Sequence, residues 1–144
     1  MRILLNAFFH RLHHYRYRLI RCYMEQPHRI QQAQLQELLL FAVDTEWGKS
    51  HFFHDIHTAE DFRQAIALTD YEDLKPFINR MMLGERDVLW PGRVNCFSKS
   101  SGTTNDKSKF IPISPQNLYK CHMRGSWDTM SLYYHNRPHA SQFA

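Results

Sequence analysis

The sequence predicts an α/β chain: a helical N-terminal portion, then a strand–loop–strand hairpin, then a closing helix. Three observations predict it. Apolar residues in the first half recur at steps of three and four, the spacing of one helix face. Two short apolar runs, residues 94–98 and 110–113, flank a stretch of hydroxyls and lysines, as strands flank a loop. Ser114-Pro115 then opens a last apolar-periodic stretch, a helix-start signature.

With 144 residues, 43% of them hydrophobic and 14% aromatic, the chain has the size and composition of one ordinary globular domain. A chain of that length buries roughly two thirds of its unfolded surface. Its parts read as a basic amphipathic helix over 1–26, a helical segment over 27–92, a hairpin over 93–114 and a helix over 115–135. The net charge is +4 and the pI near 9.1. That balance suits an anionic partner, whether nucleotide, nucleic acid or membrane surface, without choosing among them. No apolar stretch approaches the roughly 20 residues of a transmembrane span. Residues 3–9 run into His10 and Arg11 without a small-residue cleavage site, so they are not read as a signal peptide. Cys22, Cys96 and Cys121 are far apart and in no metal-ligand spacing, so they read as reduced thiols in a cytoplasmic protein.

Residues 3–23 are expected to form the first helix, because Leu5, Phe8, Leu12, Tyr15, Leu19 and Cys22 fall on one stripe. Arg2, Arg11, Arg16, Arg18 and Arg21 all precede the first acid, Glu25. Such a helix either packs in the fold, its arginines solvated or meeting acids elsewhere, or binds a membrane surface or nucleic acid. Pro27 opens a second helix, since a first helical position needs no amide donor. Ile30, Leu35, Leu38, Leu39 and Ala42 carry it across a glutamine-rich surface to about Asp44, with Gly48 as terminator. Residues 49–57 read as a loop whose His51, His54 and His57 lack a clear carboxylate or thiol partner, and no metal site is assigned there. Thr58 with Asp61 resembles a capping box opening a short helix to about Ile66. Thr69 with Glu72 repeats the signature, but Pro76 disfavours helix at Lys75, which places the firm start of that helix at Pro76 and its end at Gly84. Leu89-Trp90-Pro91-Gly92 is a turn. Pro112 confines the 110–113 strand to an edge or a bulge.

The loop between the strands carries the chemistry. A phosphate needs short donors, close backbone and positive charge. Ser100, Ser101, Thr103 and Thr104 supply hydroxyls, Gly102 lets the backbone approach, and Lys107 and Lys109 supply charge. The common phosphate loop is not matched: its second glycine is missing, the lysine comes one residue early, and a strand follows where a helix is wanted. A polar hairpin loop without a ligand fits the same composition.

The run Ser100-Ser101-Gly102-Thr103-Thr104 with Lys107 and Lys109 resembles the ATP-phosphate loop of the auxin-responsive acyl-acid amido synthetases, members of the adenylate-forming superfamily. The flanking blocks agree in order: residues 44–49 (DTEWGK), 71–78 (YEDLKPFI), Gly84-Glu85 and 89–92 (LWPG). The resemblance covers roughly residues 30–135. It implies an enzyme that activates a carboxylic acid with ATP, releases pyrophosphate and passes the acyl group to an amine such as that of an amino acid. It further implies that Ser100, Ser101, Gly102, Thr103 and Thr104 cradle the ATP phosphates, that Lys107 and Lys109 are their cationic partners, and that magnesium bridges phosphate oxygens. Its catalytic residues are not assigned. Asn105-Asp106 departs from the family, where glycines are common. Both tolerate left-handed backbone, though Asp106 adds negative charge near phosphate. Full members are several times longer, so the resemblance implies an incomplete part of an adenylate-forming N-terminal domain, inactive alone, with the acid and amine pockets elsewhere. No nucleic-acid partner is expected on this reading.

Overall fold

The computed structural model describes residues 1–100 and 108–141. Two long helices come first, α1 (Arg2–Glu25) and α2 (Pro27–Ala42). Three shorter ones follow: α3 (Glu46–Ser50), α4 (Ala59–Ala65) and α5 (Tyr71–Met82), with a 3-10 turn at Phe53–Asp55. Strands β1 (Cys96–Lys99) and β2 (Phe110–Ile113) pair antiparallel. The last helical stretch is α6 (Pro115–Asn117), a π turn at Leu118–Met123, and α7 (Arg124–Asn136). Among the described residues no helix is long and apolar enough to cross a membrane.

The chain forms two compact units, residues 31–115 and residues 1–30 with 116–144. In the first, Leu39 and Ala42 of α2 bury against Phe53 and Ile56, with Trp47, Phe62 and Ile66 at the margin. A second cluster joins Met81 to Val88 and Val94, flanked by Phe77, Trp90 and Phe97. Each such aliphatic side chain contributes roughly 1.5–3 kcal/mol when fully buried. The glutamines of α2 do more than meet water: Gln32 and Gln36 both donate to the His57 carbonyl, at 2.6 and 2.7 Å.

Several sequence expectations need correction here. Gly48 does not end α2; it lies inside α3, where a Cβ would stand 2.0 Å from the Ala42 carbonyl oxygen. Part of the expected 49–57 loop is helical, at the end of α3 and in the 3-10 turn. Helix α5 starts at Tyr71, ahead of Pro76, and its cap is Asp70 with Asp73 rather than Thr69 with Glu72. The Asp70 carboxylate accepts from the Glu72 and Asp73 amides while Asp73 accepts from the Asp70 amide. These bonds outweigh the one that Pro76 cannot make. Strand β1 starts at Cys96, because Val94 is taken into the core. The Thr58–Asp61 capping box of α4 is present as expected. Gly84, with φ +93°, terminates α5: its amide donates to Met81 and that of Glu85 to Arg80, the paired bonds of a left-handed helix stop.

In the second unit α1 meets α7 through a face that hydropathy does not mark. His13 is buried, its ring stacked on Tyr134 at 4.9 Å and tilted to Trp127 at 5.3 Å. The Ser131 hydroxyl donates to the Trp127 carbonyl (2.7 Å), which leaves its oxygen to accept from His13 Nδ1 (3.1 Å). Arg16 forms a two-pronged bond to Asp128, and Tyr17 stacks on His135 at 3.5 Å. The guanidinium of Arg16 is raised in pKa chiefly by that hydrogen bonding to Asp128. The predicted stripe Leu5, Phe8, Leu12, Tyr15 and Leu19 is the solvent-facing side instead.

Candidate functional site

The hairpin pairs Cys96 with Ile113, Phe97 with Pro112, Ser98 with Ile111 and Lys99 with Phe110. One more step follows: the Ser100 amide donates to the Lys109 carbonyl at 2.9 Å. In an antiparallel ladder hydrogen-bonded and non-bonded pairs alternate. The amides at 110 and 112 therefore point away from β1, so Pro112 removes no ladder bond. The outward amide of Phe110 donates to Tyr71 Oη at 2.9 Å.

Ser100 and Lys109 are brought together at the base of the loop. The Lys109 amide donates to Ser100 Oγ at 3.1 Å, so this hydroxyl spends one lone pair on closing the loop. Its own proton remains available to an acceptor. The exposed Lys109 ammonium lies 5.1 Å from the centroid of the Tyr71 ring, a cation–π arrangement that holds it near the loop base. Ser101, Gly102, Thr103, Thr104 and Lys107 lie outside the described residues.

Tyr71 is the site-shaping residue that sequence reasoning missed. It belongs to the 71–78 block and is the first residue after the Asp70 cap, but a phenol bonded to an amide 39 positions away leaves no periodic trace. The other blocks form the frame behind it. Thr45 is fully buried; its hydroxyl donates to the Ala42 carbonyl at 2.6 Å and accepts from the Gly48 amide at 2.9 Å. Amides of Glu46 and Trp47 donate to the carbonyls of Asp87 and Val88, at 2.8 and 3.1 Å. Arg80 bonds the carboxylates of both Glu46 and Glu85. Its hydrogen bonds hold both carboxyls below their ordinary pKa, and Glu85 and then Glu46 push the guanidinium up. Trp47 meets Phe77 edge-on at 5.2 Å, and the Gly92 amide donates to the Asp87 carboxylate at 2.6 Å. Segments 44–49, 84–92 and α5 are thus one hydrogen-bonded support, and α5 carries Tyr71 to the hairpin.

The donor set fits an anion. The Lys109 ammonium and the Ser100 proton are groups a phosphate oxygen accepts from. Among the described residues no three His, Cys, Asp or Glu side chains converge as a metal site. His51 stacks on Trp47 at 4.0 Å and donates from Nδ1 to its carbonyl, His54 meets Asp55, and the His57 carbonyl serves α2.

A family model described as the GH3 family N-terminal domain matches residues 16–143. An indole-3-acetic acid-amido synthetase of Arabidopsis thaliana is 31% identical over 90 residues, 62% of this chain and 15% of that enzyme. A jasmonoyl–L-amino acid synthetase of Nicotiana attenuata is 29% identical over 89 residues, 61% of this chain and 15% of that enzyme. A 4-substituted benzoates–glutamate ligase of Arabidopsis thaliana is 32% identical over 84 residues, 58% of this chain and 14% of that enzyme. The chain therefore spans about 15% of the length of the curated relatives it matches.

Proposed function

The chain belongs to the GH3 family, and on that premise we propose that its 93–114 hairpin is the phosphate-holding part of an ATP-dependent acyl-acid amido synthetase. The reaction joins a small carboxylic acid to an amine, such as that of an amino acid. A carboxylate oxygen attacks the α-phosphorus of ATP, forming the acyl adenylate and expelling pyrophosphate. The amine nitrogen then attacks the acyl carbon, and AMP leaves. Relatives named for indole-3-acetic acid, jasmonate and benzoate conjugation support this class. The three exposed free cysteines suit a reducing cytoplasm.

The observation that carries the proposal is the loop base, where Ser100 and Lys109 close on each other and Tyr71 clamps the following amide. Ser100, Ser101, Gly102, Thr103 and Thr104 surround the phosphates, while Lys107 and Lys109 offset the charge that builds on the departing pyrophosphate. Magnesium would enter with the nucleotide and add positive charge beside that of Lys107 and Lys109. The acid and amine are selected outside this stretch, so the 144-residue chain is inactive by itself.

Calorimetry with millimolar ATP and magnesium tests the site. Nucleotide at ten times its dissociation constant stabilises the folded chain by about 1.4 kcal/mol. That corresponds to a rise in Tm of roughly 2–8 °C for a domain of this size. The rise should disappear in Lys107→Ala and Lys109→Ala. An unmoved Tm would overturn the assignment. Pyrophosphate release from ATP and acids should stay at the level of the Lys107→Ala variant.

A further inference from the structure

The solvent-facing stripe of α1 has a stricter pattern than a surface helix needs. Leu5, Phe8, Leu12, Tyr15, Leu19 and Cys22 advance by three, four, three, four and three residues, which is the seam of a heptad repeat. Leucines hold one seam position and Phe8, Tyr15 and Cys22 the other. All face solvent: Leu5 is 41% exposed, Phe8 61%, Leu12 37%, Tyr15 63% and Leu19 37%, and Cys22 is an exposed thiol. The opposite side of α1 is already engaged, since His13, Arg16 and Tyr17 meet α7. Helix α1 is thus held in shape by α7 and presents a second, apolar edge about 27 Å long at 1.5 Å per residue. Most of that edge, up to Tyr15, lies before the first residue of the family match, Arg16.

Charge narrows what covers this edge. On its open flank stand Arg11 and Arg18, one heptad apart and both exposed. Arg16 and Arg21 are committed to Asp128 and Glu25. A second copy of the same helix would bring arginine flank against arginine flank in an antiparallel pairing, which is repulsive. In a parallel pairing Arg11 and Arg18 would meet the side that carries Arg16. Past the first turn, where Ile3 and Leu4 are exposed as well, the edge narrows to two seam positions. That suits a helix better than a bilayer, since a bilayer rewards a wider apolar face. We propose that the Leu5–Cys22 edge of α1 docks an amphipathic helix of a partner protein, with apolar residues at its own seam and Glu or Asp on its flanks opposite Arg11 and Arg18.

Two 21-residue peptides with leucine at both seam positions, one with glutamate on the flanks and one with lysine, are suitable probes. Fluorescence anisotropy should show the acidic peptide binding the chain about tenfold or more tightly than the basic one, with the preference shrinking in 0.5 M salt. Leu12→Glu with Leu19→Glu should abolish binding. Phe8→Glu with Tyr15→Glu, at the more exposed seam position (61% and 63%), should do the same while the melting temperature and circular dichroism of that variant match the parent. Arg11→Glu with Arg18→Glu should reverse the peptide preference, an outcome that a merely sticky apolar surface would not give. Equal binding of the two peptides, or binding that survives the leucine substitutions, would overturn the proposal. So would micromolar self-association through the edge, or capture by vesicles of three parts phosphatidylcholine to one part phosphatidylserine with no peptide binding.

Discussion

Gly48 has no room for even a methyl group. A Cβ there would lie 2.0 Å from the Ala42 carbonyl oxygen and 3.0 Å from that of Val43, both backbone atoms that no rotamer change can move aside. Gly48→Ala should therefore destabilise the chain by about 3 kcal/mol, the upper range for overpacking. A lowered urea midpoint at an unchanged slope would report it. Arg80 sets a pH response at the same scale. Its hydrogen bonds lower the pKa of Glu46 and Glu85, and Asp61 is lowered first by the His57 amide and then by Thr58. Carboxyls held below their unfolded values contribute stability that is complete above the ordinary carboxylate range and fades as the pH falls through it. The Tm should accordingly drop between about pH 5 and pH 3. Arg80→Met should flatten that drop, leaving the part due to Asp61; an identical slope in the variant would refute the assignment to Glu46 and Glu85.

Among the elements, α5 links the frame to the loop. Asp70→Ala removes a cap that accepts from two amides and should cost about 1 kcal/mol. Tyr71→Phe leaves the helix intact but orphans the Phe110 amide. Its expected signature is faster hydrogen exchange at Phe110 and a loss of about 1 kcal/mol, the usual net value of one hydrogen bond. The start of α5 is not legible in the sequence because Thr69 and Asp70 both offer capping oxygens, and only the backbone geometry decides which one faces the Glu72 and Asp73 amides. Pro76 added a true local preference that the double cap overrides. Strand β2, by contrast, was legible to the residue, since Phe110–Ile113 is bounded by Lys109 and Ser114. The closing helix was legible in extent but not in form. Its π turn at Leu118–Met123 leaves no mark in apolar spacing, and Leu118, Met123, Trp127 and Met130 are all exposed. At the candidate site, the sequence pointed to Ser100 and Lys109 as ligands but not to their bond with each other, which depends on the strand register.

For the molecule as a whole, the helical majority and the β1–β2 hairpin could be read from pattern, whereas the pairing of α1 with α7 could not. That pairing uses a histidine, stacked aromatic rings and a guanidinium–carboxylate bond, none of which a hydrophobic period detects. Its weight can be measured: Asp128→Ala should cost about 2 kcal/mol, in the range for hydrogen bonds to a charged group. Amide protection should fall in α1 and α7, and unchanged protection there would show that the Arg16–Asp128 pair is ornamental. The pairing also sets an order of events during synthesis. His13 and Ser131 are 118 positions apart, and at ribosomal speeds of about 5–20 residues per second that separation lasts roughly 6–24 s. For that interval the nascent α1 carries the face that α7 will cover, with His13, Arg16 and Tyr17, open to solvent, while α2 to α5 find their partners nearby in the chain. Of the helices described, α1 waits longest for its partner, and it is there that a chaperone would have the longest opportunity to act.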